Sequence, residues 1–253
     1  MQTCAELTDL MARASELVPA LQGRVGLPQP GEIVTDGDDH GVIESLLEHH
    51  RRHHPEAGPH YWSIHCWALL IWQPVIISLV SVHVLERSIV LRRLAQQAAD
   101  GMVAGYSLPP QPLEPGPTDT LIQRTALELR SLCELLLTQL SRHTRHTRVN
   151  PVLARRLLAD RVLATLLYLL QSRAKIDNAH IESLGRQWLS ALSLERASDL
   201  MVIELPGGCR LALDRKGCCQ HYRRKDGSLC ASCPRQRREV RIERLQQQWS
   251  QDA

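Results

Sequence analysis

The chain has 253 residues, 43% of them hydrophobic, and a formal net charge of +3. That length and apolar content are enough for a buried core, in one large domain or two modest ones, and exclude a wholly disordered chain. Eight cysteines are too few for a disulfide scaffold, and the charge is uneven: residues 215–244 carry ten Lys/Arg against three Asp/Glu, which leaves the rest mildly acidic.

The opening "MQTCAELTDLMARASELV" lacks the basic start and unbroken apolar run of a secretory signal. A reducing, cytoplasmic setting follows, in which clustered thiols hold metal more often than they form structural disulfides. Leu7, Leu10, Met11, Ala14, Leu17, Val18 and Leu21 recur at three and four, which predicts a helix from Glu6 to Leu21. "DGDDHG", Asp36 to Gly41, starts like a calcium loop. His40 and Leu47 stand where that loop needs carboxylates, so a solvated turn is the better reading. His49, His50, His53 and His54 have a spacing that could serve a metal. Arg51 and Arg52 would repel a cation, and Pro55 marks a solvated helix end.

Tyr61 to Leu85 contains no Asp, Glu, Lys or Arg and is long enough to span a bilayer. His65, Gln73, Pro74, Ser78, Ser81 and His83 interrupt it, and Trp62, Trp67 and Trp72 crowd one half rather than two interfaces. These features favour a core helix over a stable membrane span, broken at Gln73-Pro74. Trp62 and His65 are candidates for the wall of a substrate pocket.

"SLPPQPLEPGPTD", residues 107–119, has five prolines and reads as a linker. Three helical patterns follow: Leu121 to Leu140, a run opened by Asn150 and Pro151, and Ile181 to Leu194. His143 and His146, between the first two, lie among arginines and read as solvated. "MVIELPGGCRLALD" then alternates around a turn, which predicts a β-hairpin. Pro234 is suited to the first turn of a last helix. The expected class is mainly α with a small β component. The expected segments are 1–106, a linker at 107–119, a helical region at 120–200, and a hairpin, cysteine loop and terminal helix at 201–253.

The hairpin leads into "CCQHYRRKDGSLCASCP". Cys218, Cys219, Cys230 and Cys233 lie within sixteen residues, while Cys4, Cys66, Cys133 and Cys209 are scattered. Cys230 and Cys233 form a good zinc knuckle, but Cys218-Cys219 has no spacer, and adjacent side chains diverge. A two-iron cluster is wider and tolerates that spacing better than zinc does. A redox dithiol would leave Cys218 and Cys219 unexplained. The basic run also admits a nucleic-acid-binding regulator carrying an iron–sulfur cluster or zinc, although no recognition motif stands out. No Gly-x-Gly-x-x-Gly follows a strand, so a built-in nicotinamide or flavin fold is not supported.

The pattern Cys-Cys, ten residues, Cys, two residues, Cys resembles the signature of the FhuF-like ferric-siderophore reductases at all four positions. "HYWSIHCWALLIWQP", His60 to Pro74, is similar to that family's aromatic region. The resemblance implies a 2Fe–2S cluster on Cys218, Cys219, Cys230 and Cys233 and a fold similar to the C-terminal part of the siderophore synthetases. It further implies a cytoplasmic reductase, soluble or peripheral to the inner membrane, acting on Fe(III) held by a siderophore, of the hydroxamate type by preference. No nucleic-acid partner is then expected, and the electron donor would be external: a ferredoxin, a flavin or a thiol reductant. Arg215, Lys216, Arg223, Arg224, Lys225 and Arg235 would raise the potential of such a centre by favouring its more negative state. Arg223, Arg224 and Lys225 are also candidates for substrate binding by charge.

Overall fold

The structure is a computed structural model. It describes residues 2–35, 41–144, 149–171, 177–206 and 208–251. The Asp36–His40 part of the calcium-like stretch and His146 lie outside the described residues. The chain divides into two compact units, residues 1–149 and 150–253. As expected, it is mainly helical with small sheets.

In the first unit, α1 (Gln2–Leu17) ends before Val18-Pro19, because the residue before a proline resists the helical region. Strands β1 (Gly23–Val25) and β2 (Glu32–Ile33) precede α2 (Val42–His53), and a short 3-10 turn leads into α3 (Gly58–His83). Next come β3 (Arg87–Ser88), β4 (Ala95–Ala99), β5 (Met102–Leu108), β6 (Glu114–Pro115) and α4 (Thr118–His143). One sheet has the order β1-β5-β4-β2, with β1 parallel to β5 and the other pairs antiparallel. β6 pairs with β3, which gives the proline-rich stretch a two-residue strand.

The β4–β5 hairpin was not anticipated. Its turn is Asp100-Gly101, with φ 51° and 76°. Two successive left-handed residues are the geometry that Asp-Gly favours, and they match the twist of the flanking strands. Glu32, 4% exposed, ties the sheet together. Its carboxylate accepts from Arg24, Gln97, the Ser107 hydroxyl and the Gln29 amide. Burial alone would push that carboxyl upward, but these donors together hold it below the usual range.

α3 packs against α1, α2, α4 and β5 and is the core of this unit. Together with the preceding turn it is long and apolar enough to cross a membrane, but 83% of its apolar window is buried inside the fold. The expected break at Gln73-Pro74 does not occur: α3 runs through Pro74. A proline removes the N–H that would bond the carbonyl four residues earlier, here that of Leu70. Gln96 of β4 donates to that carbonyl at 3.0 Å. Gln73 in turn donates to the Gln96 side-chain oxygen and the Gly105 carbonyl, each at 3.1 Å. Both glutamines are buried.

The histidines of α2 are not uniformly solvated. His50 is 5% exposed, and its ring meets that of His65 edge-on at 4.5 Å. α2 faces α3 and cannot avoid burying one of them.

The second unit opens with α5 (Pro151–Leu170). Asn150 caps it by accepting from the Val152 and Leu153 amides. α6 (Asn178–Ala191) starts three residues before the predicted point, because Asp177 caps the His180 amide. β7 (Asp199–Leu205) and β8 (Gly208–Asp214) pair in continuous antiparallel register from Asp199↔Asp214 to Leu205↔Gly208. α7 (Arg238–Gln251) closes the unit. Met201, Ile203, Ala212 and Leu245 form a small core beneath the hairpin, with Leu205, Ala231, Ile242 and Trp249 packed against it.

Candidate metal centre

The hairpin brings Asp214 to the mouth of the cysteine loop. Arg241 and Arg238 of α7 donate to its two carboxylate oxygens at 2.7 and 3.1 Å. Arg156 of α5 donates to the Lys216 carbonyl, and Gly217 packs directly on Arg156 and Leu157. The chain therefore reaches Cys218 held from both sides.

Cys218, Cys219 and Cys230 are half-buried and Cys233 is buried. The four thiols lie close enough to act on one another: Cys218 feels Cys233 and Cys219, and Cys230 feels Cys219 and Cys233. Among the described residues no group of three or more His, Cys, Asp or Glu side chains is drawn together tightly enough to hold a metal ion. The four thiols are gathered by one loop, two at each end of it.

Gln220 has φ 58°, which turns the chain sharply after Cys219. Its amide then donates to the Cys218 sulfur at 3.4 Å. Cys230 beside it, then the His221 backbone and the Arg215 charge, hold the Cys219 thiol below its usual range against burial. Cys219 beside it, with burial, pushes Cys230 upward. Burial likewise raises Cys218. Cys66 and Cys133 are deep in the apolar first unit, where burial keeps them as thiols.

Arg215 is the basic residue built into the site. Its Nη1 donates to the Cys230 sulfur at 3.6 Å, and its Nε donates to Asp160 of α5 at 3.0 Å. Ser198 donates to the other Asp160 oxygen at 2.5 Å. Burial raises the Asp160 carboxyl, with Arg215 and Ser198 pulling against it. Sequence reasoning missed Asp160 and Ser198. The available signal was a lone acid among the buried leucines of "VLARRLLADRVLATLLYLL".

The loop between the pairs is tightly stitched. A 3-10 turn spans His221–Arg223. Arg224 grips Asp226 through two bonds of 2.9 and 2.6 Å. Arg223 and Lys225 are exposed, and the Arg235 guanidinium lies 4.7 Å over the Tyr222 ring. Gln236 donates to the Cys230 carbonyl at 2.8 Å, and Arg244 to that of Leu229 at 3.0 Å. Pro234 does not open the last helix. A turn closed by the Gln236 amide on the Cys233 carbonyl intervenes, and α7 starts at Arg238.

Trp62 and His65 belong to the first unit. Trp62 donates its indole N–H to the His54 carbonyl at 2.8 Å, and Trp72 to that of Val103 at 2.7 Å. The His65 ring stacks on Tyr61 at 5.2 Å.

No solved structure matches the chain significantly. The family model of the FhuF 2Fe-2S C-terminal domain matches residues 215–235, a short segment that holds the four cysteines and Arg215 and is similar to that domain.

Proposed function

We propose that the protein is a ferric-siderophore reductase in which Cys218, Cys219, Cys230 and Cys233 hold a 2Fe–2S cluster. The observation that carries this reading is the gathering of the four cysteines, with the Arg215 guanidinium on the Cys230 sulfur, inside the segment that matches the FhuF 2Fe-2S model. An adjacent Cys-Cys followed by Cys-x-x-Cys suits a wider two-iron cluster better than a single tetrahedral ion. Donors already point at the sulfurs: the Gln220 amide and the Arg215 guanidinium. A thiolate-rich centre of net negative charge needs such donors.

Bound there, the cluster supplies one electron at a time. The substrate's Fe(III) becomes Fe(II), which hard oxygen ligands hold far less tightly, and the iron is released. The chain's own residues set the conditions. Arg215 stabilises added negative charge at the sulfurs, and the Gln220 amide holds the Cys218 sulfur in place. Exposed Arg223 and Lys225, between the two ligand pairs, offer a positive surface to an anionic ferric complex. The electron comes from an external ferredoxin, flavin or thiol reductant, and the setting is cytoplasmic.

The test is the visible and EPR spectrum of protein kept anaerobic, before and after dithionite, followed by stopped-flow mixing with ferric siderophores. A 2Fe–2S spectrum that reoxidises on ferric hydroxamates is the expected result. Stoichiometric zinc without iron or labile sulfide, in protein made with ample iron, overturns the cofactor assignment. A reduced centre inert to every ferric siderophore, together with specific nucleic-acid binding, turns the reading into that of a regulator.

A further inference from the structure

Of the cationic side chains around the thiols, Arg215 is the one seen donating to a cysteine sulfur, and it does so from a largely buried position. Its side chain is 17% exposed and that of Asp160 is 4% exposed. A guanidinium so placed needs a fixed anionic partner. Asp160 lies on α5, 55 residues before Arg215, and touches Arg215 through Nε while Nη1 faces Cys230. A planar guanidinium gripped at Nε cannot rotate freely about its other donors. Ser198, just before β7, fixes the second Asp160 oxygen. Arg161, next along α5, repels Arg215. Without Asp160 the guanidinium would lose the carboxylate that holds its Nε and keep Arg161 as a like charge nearby.

We infer that Asp160 is a positioning residue for the redox centre: with Ser198 it holds Arg215 against the Cys230 sulfur and thereby raises the reduction potential. This rests on the proposed 2Fe–2S reading and adds a residue outside the matched segment. The sign of the effect separates positioning from simple charge. Removing a carboxylate near the centre should by Coulomb's law make reduction easier. If Asp160 acts through Arg215, removing it makes reduction harder, because the donor and its positive charge are released.

The experiment is a spectroelectrochemical titration of the intact protein, with iron and sulfide assayed in every sample. Arg215→Gln should shift the one-electron equilibrium toward the oxidised form by about tenfold, or about 59 mV. Asp160→Ala should shift it in the same direction despite losing a negative charge. The double variant should fall no further than Arg215→Gln alone, since the two residues act as one unit. Asp160→Asn and Ser198→Ala are milder and should give smaller shifts of the same sign, which keeps the test open if Asp160→Ala does not fold. An upward or absent shift in the folded Asp160 variants overturns the inference and leaves the cluster reading intact. Absence of iron and sulfide from the unaltered protein strikes the cluster reading itself.

Discussion

Gln96 donates its side-chain amide to the carbonyl of Leu70 at 3.0 Å, the carbonyl that Pro74 leaves without its helical partner. A strand residue thus completes a helix, and α3 stays continuous through its proline.

Replacing Gln96 with Leu should cost the first unit about 1–3 kcal/mol, since the Leu70 carbonyl and the Gln73 amide both lose a buried partner. In a Pro74→Ala background the new amide at position 74 can bond Leu70, so the Gln96→Leu penalty should shrink. Urea unfolding followed by tryptophan fluorescence measures both. Equal penalties in the two backgrounds would show that the bond to Leu70 contributes little.

Serine at Cys218, Cys219, Cys230 or Cys233 should each strip most of the iron and labile sulfide from purified protein. Cys66→Ser and Cys133→Ser should keep the full content, although a hydroxyl in those buried positions costs some stability. Full content in Cys219→Ser would remove it from the ligand set.

Much of this was legible in local patterns. The 3.6-residue period placed the large helices, Asn150-Pro151 marked the start of α5, and alternation marked β7 and β8. The four thiols stood out by density alone. What was not legible depends on partners far along the chain. Pro74 reads as a breaker until Gln96 is known to stand beside it. Asp160 reads as an oddity in an apolar helix until Arg215 arrives 55 residues later. The β4–β5 hairpin differs, since its Asp100-Gly101 turn is a local signal but the Ala and Gln residues of β4 carry none of the β-branched or aromatic marks of a strand.

His50 makes acid stability predictable in sign. Burial, then repulsion from His49, lowers it from 6.5 to about 4. The unfolded chain therefore takes up a proton that the folded chain refuses. The stabilisation is complete above pH 6.5 and is lost as pH falls toward 4, on the order of 3 kcal/mol in all. Urea melts between pH 7.5 and 4.5 should show this slope in the first unit, and His50→Gln should flatten it by about one proton.

The loop charges should act unequally. Arg223 and Lys225 are exposed, and Arg224 is less so and bonded to Asp226. Neutralising Arg223 and Lys225 together should slow reoxidation by anionic ferric complexes about threefold to tenfold at low salt. Neutral complexes should be affected less, and the difference should vanish as ionic strength rises. Stopped-flow traces at two salt concentrations decide it. An equal loss for both kinds of complex would assign the charges to the potential rather than to docking.

Gly227 shows how closely the loop is folded. A methyl group there would lie 2.0 Å from the His221 carbonyl oxygen, while the Gly227 amide bonds the Arg224 carbonyl at 3.0 Å. The interval between Cys219 and Cys230 is thus a ruler rather than slack, with every turn of it closed by its own hydrogen bonds. Lengthening it by one residue would displace Cys230 from Cys219 and from Arg215 together. In related chains the ten-residue spacing should accordingly tolerate changes of residue type far better than insertions or deletions, with glycine at the 227 position as the companion mark.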